Sequence, residues 1–197
     1  MNPHPYLKIA RIDHFVKNVF ILPGVFVALY AEPELISRNM FWNLILALIV
    51  AAFIASSNSV INEILDSPQD AVHPVKKNRP IPSGEVELKI AYVEWMLLGA
   101  FGILISLSLN RAFFYTTLAF LMMGNAYNVP PLRTKEKPYL DVLSESINNP
   151  LRFLLGWYCT GIKALPPISL VSAYWMVGAF FMSVKRFAEY RRINNKD

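Results

Sequence analysis

The sequence predicts an all-α fold, a polytopic transmembrane bundle of about six helices with both termini cytoplasmic. Three observations carry this. The chain of 197 residues is 54% apolar, with a mean hydropathy of +0.35, too apolar for a soluble domain of this length. The windows Met40 to Ile61, Ala112 to Leu132 and Ala164 to Val184 hold no ionisable residue, and each reaches the roughly 20 residues that cross a bilayer core. Lys and Arg fall overwhelmingly between alternate windows, as the positive-inside bias of membrane proteins requires.

Taken in order, the first span is the short apolar run Val19 to Ala31, which begins near Phe15 and tolerates Lys17 close to the interface. Leu29 and Ala31 give it no small-x-small cleavage pattern, so it is read as a span and not as a signal peptide. Met40 to Ile61 is the second span, and Ile90 to Leu109, carrying only Glu94, is the third. Ala112 to Leu132 is the fourth, Tyr139 to Ile162 the fifth, and Ala164 to Val184 the sixth. The fifth is unusual because it holds Asp141, Glu145 and Arg152, and ionisable groups at membrane depth face a cavity or a partner helix.

With the N-terminus inside, Lys8, Arg11, Lys17, Lys76, Lys77, Arg79, Lys89, Arg133, Lys135, Lys137, Lys185, Arg186, Arg191, Arg192 and Lys196 are all cytoplasmic. Only Arg38, Arg111 and Lys163 fall outside, with Arg152 inside a span. The net charge of +5 therefore reports topology and attraction to phosphate or anionic lipid, and no basic face lies outside the spans and their flanks to bind nucleic acid. Cys159 is the single cysteine, which excludes an internal disulfide framework.

The outer loops are short, whereas the two inner loops, Asn62 to about Leu88 and Asn128 to Asp141, concentrate the polar chemistry. In the first, Asn62, Asp66 and Asp70 recur at i, i+4 and i+8 and share a helix face. Pro68 is expected to end the helix near Asp66, with Asp70 curling back from a new short turn. Converging carboxylates repel one another, and a divalent cation offsets that cost. Oxygen ligands with no His or Cys cluster suit magnesium. Beyond them come His73, Lys76, Lys77, Arg79 and a rigid Pro80, Ile81, Pro82 turn, cations suited to the outer oxygens of a diphosphate. A merely solvated, topology-setting loop is the other reading.

In the second cluster, Asp141, Glu145, Asn148 and Arg152 fall within about 60° of one another on a single helix, with Pro150 expected to kink it. The stripe faces either a substrate cavity or an internal salt bridge from Arg152 to Glu145 or Asp141. Pro130, Pro131, Arg133 and Lys135 form a stiff basic loop before it, suited to phosphate oxygens or to positive-inside charge alone. Lys17 beside Asn18 reaches a phosphate or snorkels.

These motifs resemble the UbiA superfamily of intramembrane prenyltransferases. The Asn-Asp-x-x-Asp-x-x-x-Asp run of that family is matched by Asn62, Glu63, Asp66 and Asp70, with Glu63 in place of Asp. Its Asp-x-x-x-Asp motif is matched by Asp141 and Glu145, followed by Pro150, Leu151, Arg152 and Gly156. Tyr127, Pro130, Pro131, Arg133 and Lys135 also match its pattern. Val16 to Asn18 and the HPVKKNRPIPSG segment resemble the polyprenyl-phosphate phosphoribosyltransferase branch, although Ile12, Phe15 and the LSESINNPLR segment depart from that branch.

The resemblance implies a magnesium-dependent transferase of prenyl groups, multi-pass in the cytoplasmic (inner) membrane, moving a prenyl group from a prenyl diphosphate to an acceptor. The alternatives are phosphoribosyl transfer from phosphoribosyl diphosphate to a polyprenyl phosphate, or an inactive membrane partner protein. Asn62, Glu63, Asp66, Asp70, Asp141 and Glu145 would hold Mg2+. Asp66, Asp141, Lys76 and Arg79 would be catalytic, and Lys17, Asn18, Asn62, His73, Tyr127, Arg133, Lys135 and Arg152 would bind the polyprenyl diphosphate or polyprenyl phosphate. The resemblance covers residues 1–197 as one membrane domain, short of the family's usual helix number at the C-terminal end. That implies a partner chain or oligomer supplying further helices.

Overall fold

The computed structural model describes residues 4–194, and every regular element in them is helical; Lys196 lies outside the described residues. A short α1 (Pro5–Ile9) leads into a 3-10 segment (Ile12–Ile21) and α2 (Leu22–Ala31). The long α3 (Arg38–Asp70) follows, then α4 (Leu88–Ser106), α5 (Arg111–Asn128), α6 (Leu140–Ser146), α7 (Asn148–Cys159) and α8 (Ile168–Asn194). Three stretches are long and apolar enough to cross a membrane by length and composition: Arg38–Asp70, Leu88–Ser106 and Ile168–Arg191. Phe15–Ala31 is a shorter apolar helix.

The helix starts obey local chemistry. Ser37 caps α3 by accepting the Met40 N–H at 3.2 Å, and Asn110 caps α5 by accepting that of Phe113 at 2.9 Å, each satisfying a donor the helix cannot. Asn110 also donates to the Tyr158 carbonyl at 2.7 Å, which ties the start of α5 to the end of α7.

The core lies where α3 meets α5 and α7, with α2 packed on α7, and it contains Ile21, Val25, Val50, Ile54, Phe113, Phe120 and Leu155. Packing inside lipid relies on close van der Waals contact, which small residues permit. At Gly24 an added Cβ would stand 2.0 Å from the Phe153 carbonyl oxygen, and at Gly156 one would stand 1.9 Å from that of Ile21. Two glycines therefore let α2 and α7 cross backbone against backbone.

The last helix runs past the expected Val184 to Asn194, and three further differences from the sequence expectation fall at prolines. Pro68 does not end its helix: α3 continues to Asp70, and the Ala71 N–H reaches the Ser67 carbonyl at 3.0 Å. Proline there removes one ladder bond, to the Ile64 carbonyl, and only two helical residues follow it, so the helix finishes its last turn without breaking. The fourth span ends at Asn128 and not Leu132, because Pro130 and Pro131 cannot extend the ladder. The fifth is broken at Ile147 into α6 and α7. Pro150 has no N–H for the Ser146 carbonyl four residues earlier and its ring crowds that carbonyl, so the break falls there in place of a kink.

Candidate active site

Asn62 and Asp66, one turn apart on α3, both face the end of α5 and the loop behind it. Asp66 Oδ1 accepts from Lys135 Nζ at 2.5 Å and from Arg133 Nη2 at 3.2 Å. Lys135 also donates to Asn128 Oδ1 at 3.2 Å, and that oxygen accepts from Asn62 Nδ2 at 2.6 Å. Burial holds the Lys135 ammonium below the usual lysine range, and the adjoining Asp66 carboxylate opposes that shift, since desolvation disfavours charge and an opposite charge restores it. Arg133 adopts left-handed backbone, φ 32 and ψ 56, which costs a non-glycine residue about 1 kcal/mol. Its ion pairs to Asp66 and to Glu136, the latter at 2.5 Å, hold it there.

Asp70, one turn further on, is 3% exposed and is held by Arg79 at 2.6 Å, with Lys76 at 3.7 Å. The exposed His73 serves the same loop: its Nδ1 accepts the backbone N–H of both Val75 and Lys76 at 3.2 Å. It thereby fixes the turn carrying Lys76. Glu63, 2% exposed, takes no part in the Asp66 contacts and accepts the Ile81 N–H at 3.3 Å.

The break at Ile147 separates the second polar stripe into two parts. On α6, Asp141 Oδ2 accepts from Arg186 Nε of α8 at 2.8 Å. Arg186 also donates to Glu189 at 2.9 Å and to the Tyr127 hydroxyl at 3.5 Å. On α7, Arg152 is 9% exposed; it donates to Asn18 Oδ1 at 3.4 Å and to the Asn148 carbonyl at 3.3 Å. Its guanidinium sits 4.9 Å from the Phe120 ring centroid, an attractive cation–π position. Asp141 thus pairs with Arg186, not with Arg152. Glu145 acts electrostatically on Lys17, Tyr127 and Arg152 without a direct ion pair among the described residues.

Tyr127 and Asn128, the last two residues of α5, join the two halves: Tyr127 touches the Asp141–Arg186 pair and Asn128 the Asp66–Lys135 pair. The carboxylates that the sequence separates by some seventy positions are therefore brought around one helix end. Asn128, Arg186 and Glu189 are site residues that sequence reasoning missed. For Arg186 and Glu189 a signal existed in their i, i+3 spacing, but Arg186 was counted only as topology charge.

Among the described residues no three His, Cys, Asp or Glu side chains gather tightly enough to bind a metal alone. The donor set still suits a hard cation. It consists of carboxylate and amide oxygens, and both cationic contacts to Asp66 fall on Oδ1, which leaves Oδ2 open. Such a site would complete its coordination with waters and substrate phosphate oxygens.

A sequence profile of the UbiA prenyltransferase family matches residues 19–196. The chain belongs to the UbiA prenyltransferase family. Decaprenyl-phosphate phosphoribosyltransferase of Corynebacterium glutamicum is 29% identical over 189 residues, covering 93% of this chain and 54% of its own length. The protein of the same description from Mycobacterium tuberculosis is 27% identical, covering 93% and 59%. Digeranylgeranylglyceryl phosphate synthase of Sulfurisphaera tokodaii is 37% identical over 111 residues, covering 56% of this chain and 37% of its own length. The solved structure of a UbiA homolog from Archaeoglobus fulgidus bound to GPP and Mg2+ superposes with a TM-score of 0.78 at 24% identity, covering 95% of this chain and 64% of the other. The UbiA chain described here thus spans little more than half the length of these phosphoribosyltransferases and shares the membrane fold of the family.

Proposed function

We propose that this UbiA-family chain transfers a phosphoribosyl group from phosphoribosyl diphosphate to a polyprenyl phosphate at the cytoplasmic face of the inner membrane. The observation that carries this reading is the charge balance of the site. Asp66 is met by Lys135 and Arg133, Asp70 by Arg79 and Lys76, and Asp141 by Arg186, with Lys17 and Arg152 close by. Cations gathered around these carboxylates suit substrates that carry phosphate. The relatives that match over 93% of the chain are described as acting on a lipid phosphate, which supports the same choice.

In this reading Asn62, Asp66 and Asp70 from α3 and Asp141 with Glu145 from α6 would hold Mg2+. When bound, Mg2+ neutralises charge that develops on the diphosphate. Lys76, Arg79, Arg133 and Lys135 bind the outer diphosphate oxygens and stabilise the leaving group electrostatically. The bond from ribose C1 to the diphosphate oxygen breaks, and the electron pair leaves with the diphosphate. An oxygen of the polyprenyl phosphate forms the new bond to C1. The attacking oxygen is already anionic, so no general base is required. Arg152 and Asn18, buried beneath the site, orient the acceptor, and Tyr127 is held by Arg186 at the boundary between the two substrates.

A second reading, transfer of a prenyl group from a prenyl diphosphate to an acceptor, is favoured by the 37% identity to digeranylgeranylglyceryl phosphate synthase over 111 residues. Acceptor dependence discriminates between the two. Membranes carrying the chain, given ribose-labelled donor and magnesium, are expected to label lipid when polyprenyl phosphate is added and not when the dephosphorylated polyprenol replaces it. Equal labelling with both, or with neither while prenyl diphosphate is consumed, would overturn the first reading.

A further inference from the structure

We infer that Glu63 is a positioning residue that fixes the donor-binding loop to α3, and that it is not a ligand of the metal. The inference rests on the reading of Arg79 and Lys76 as diphosphate ligands. Glu63 occupies a place in the aspartate-rich run, about 60° around the helix from Asp66 and about 20° from Asp70, so its contacts and not its helical position set it apart. Asn62 and Asp66 engage Asn128, Lys135 and Arg133, whereas Glu63 Oε1 accepts the Ile81 N–H.

That N–H is a singular handle. In the segment Pro80, Ile81, Pro82 only Ile81 carries a backbone donor, so it is the one backbone point at which a carboxylate of α3 can grip this rigid stretch. The stretch is otherwise closed on itself. Val86 N–H donates to the Pro80 carbonyl at 3.1 Å, Ser83 N–H to that of Arg79 at 2.9 Å, and Ser83 Oγ to that of Pro80 at 3.2 Å. Ile81 and Val86 then seat among Ile9, Val60, Ile64 and Ala91. Two residues before Ile81, Arg79 meets Asp70 at 2.6 Å. The loop is consequently clamped to α3 at two points, Glu63 to Ile81 and Asp70 to Arg79, and loosening the first releases the second.

The carboxylate also borders a cavity of about 220 Å³ lined by Lys8, Arg11, Asp13, Glu63, Arg79 and Pro80. Arg79 and Arg11 lie close enough to offset part of the cost of burying the charge, to which Asp70 adds. The buried group thus has a hydrogen bond and nearby countercharge without a metal, the two conditions for burying a carboxylate.

Hydrogen exchange over residues 76–86, measured on the full chain in lipid nanodiscs, tests this together with a magnesium titration of transfer. Glu63→Gln keeps an oxygen that accepts the Ile81 N–H, so it is expected to retain both the loop's protection and the wild-type magnesium requirement. Glu63→Ala is expected to speed loop exchange on the order of tenfold and to raise the KM for the phosphorylated donor more than it lowers kcat. The inference is overturned if both variants keep full loop protection, or if Glu63→Gln alone raises the magnesium requirement on the order of tenfold. Loop exchange reads independently of the donor, so failure of the phosphoribosyl reading and failure of this inference are distinguishable.

Discussion

Arg186 of α8 holds Asp141 of α6 through an Nε to Oδ2 contact of 2.8 Å, and the same guanidinium reaches the Tyr127 hydroxyl at the end of α5. One cation from the last described helix therefore organises the second carboxylate cluster. Arg186→Ala should lower transfer on the order of a hundredfold while the protein still inserts, and Arg186→Lys should recover only part, because an ammonium cannot reproduce the planar fork. Turnover measured against membrane-inserted protein checks this, and unchanged turnover in the alanine variant would contradict it.

The Asp66–Lys135 pair joins α3 to the α5–α6 loop over a sequence separation of 69 residues. The Lys135 side chain is 11% exposed and that of Asp66 17%, so the pair is largely desolvated and removing one partner strands the other. A double-mutant cycle of Asp66→Asn and Lys135→Met should give a coupling of about 1–3 kcal/mol in thermal or denaturant unfolding. Additive effects would mean that the pair contributes nothing of its own.

Because burial holds the Lys135 ammonium below the usual lysine range, it sheds its proton at a lower pH than an exposed lysine. Its charge is needed for the donor phosphates, so transfer is expected to fall as pH rises through that depressed value. Lys135→Arg stays protonated throughout and should move the alkaline limb of the donor kcat/KM profile upward. An unmoved limb would show that another group sets it.

At the crossing of α2 and α7, Gly24→Ala would drive a methyl group to 2.0 Å from the Phe153 carbonyl oxygen. No rotamer relieves a clash with backbone, so the helices must separate, at a cost of about 3 kcal/mol or more. The melting temperature in detergent should fall sharply for Gly24→Ala and Gly156→Ala. Gly84→Ala should show a smaller fall: nothing lies within 4 Å of an added Cβ there, and its φ of 81 adds only local strain.

The stripe of Asn62, Asp66 and Asp70 was legible because helical period decides which side chains share a face. What those side chains meet was not legible, since period carries no information about a neighbouring helix. Asp66 finds Lys135, Asn62 finds Asn128, and Glu63, adjacent in sequence, turns to the Ile81 backbone. Pro68 and Pro150 carry the same steric rule yet act differently, one ending nothing in a final turn and the other breaking a helix, because only the second stands opposite a carbonyl with a full turn still to come. Arg186 was read as topology charge, and only the packing of α8 against α6 reveals its second role, with Glu189 beside it.

The most direct measurement compares donors on membranes carrying the chain, with magnesium and polyprenyl phosphate present. Ribose-labelled phosphoribosyl diphosphate and allyl-labelled prenyl diphosphate are supplied in turn, and organic-extractable label is counted. The charge balance of the site predicts lipid label from the first donor, lost on chelation of magnesium and lost in Asp66→Asn, with none from the second. Label from the prenyl diphosphate alone would contradict it.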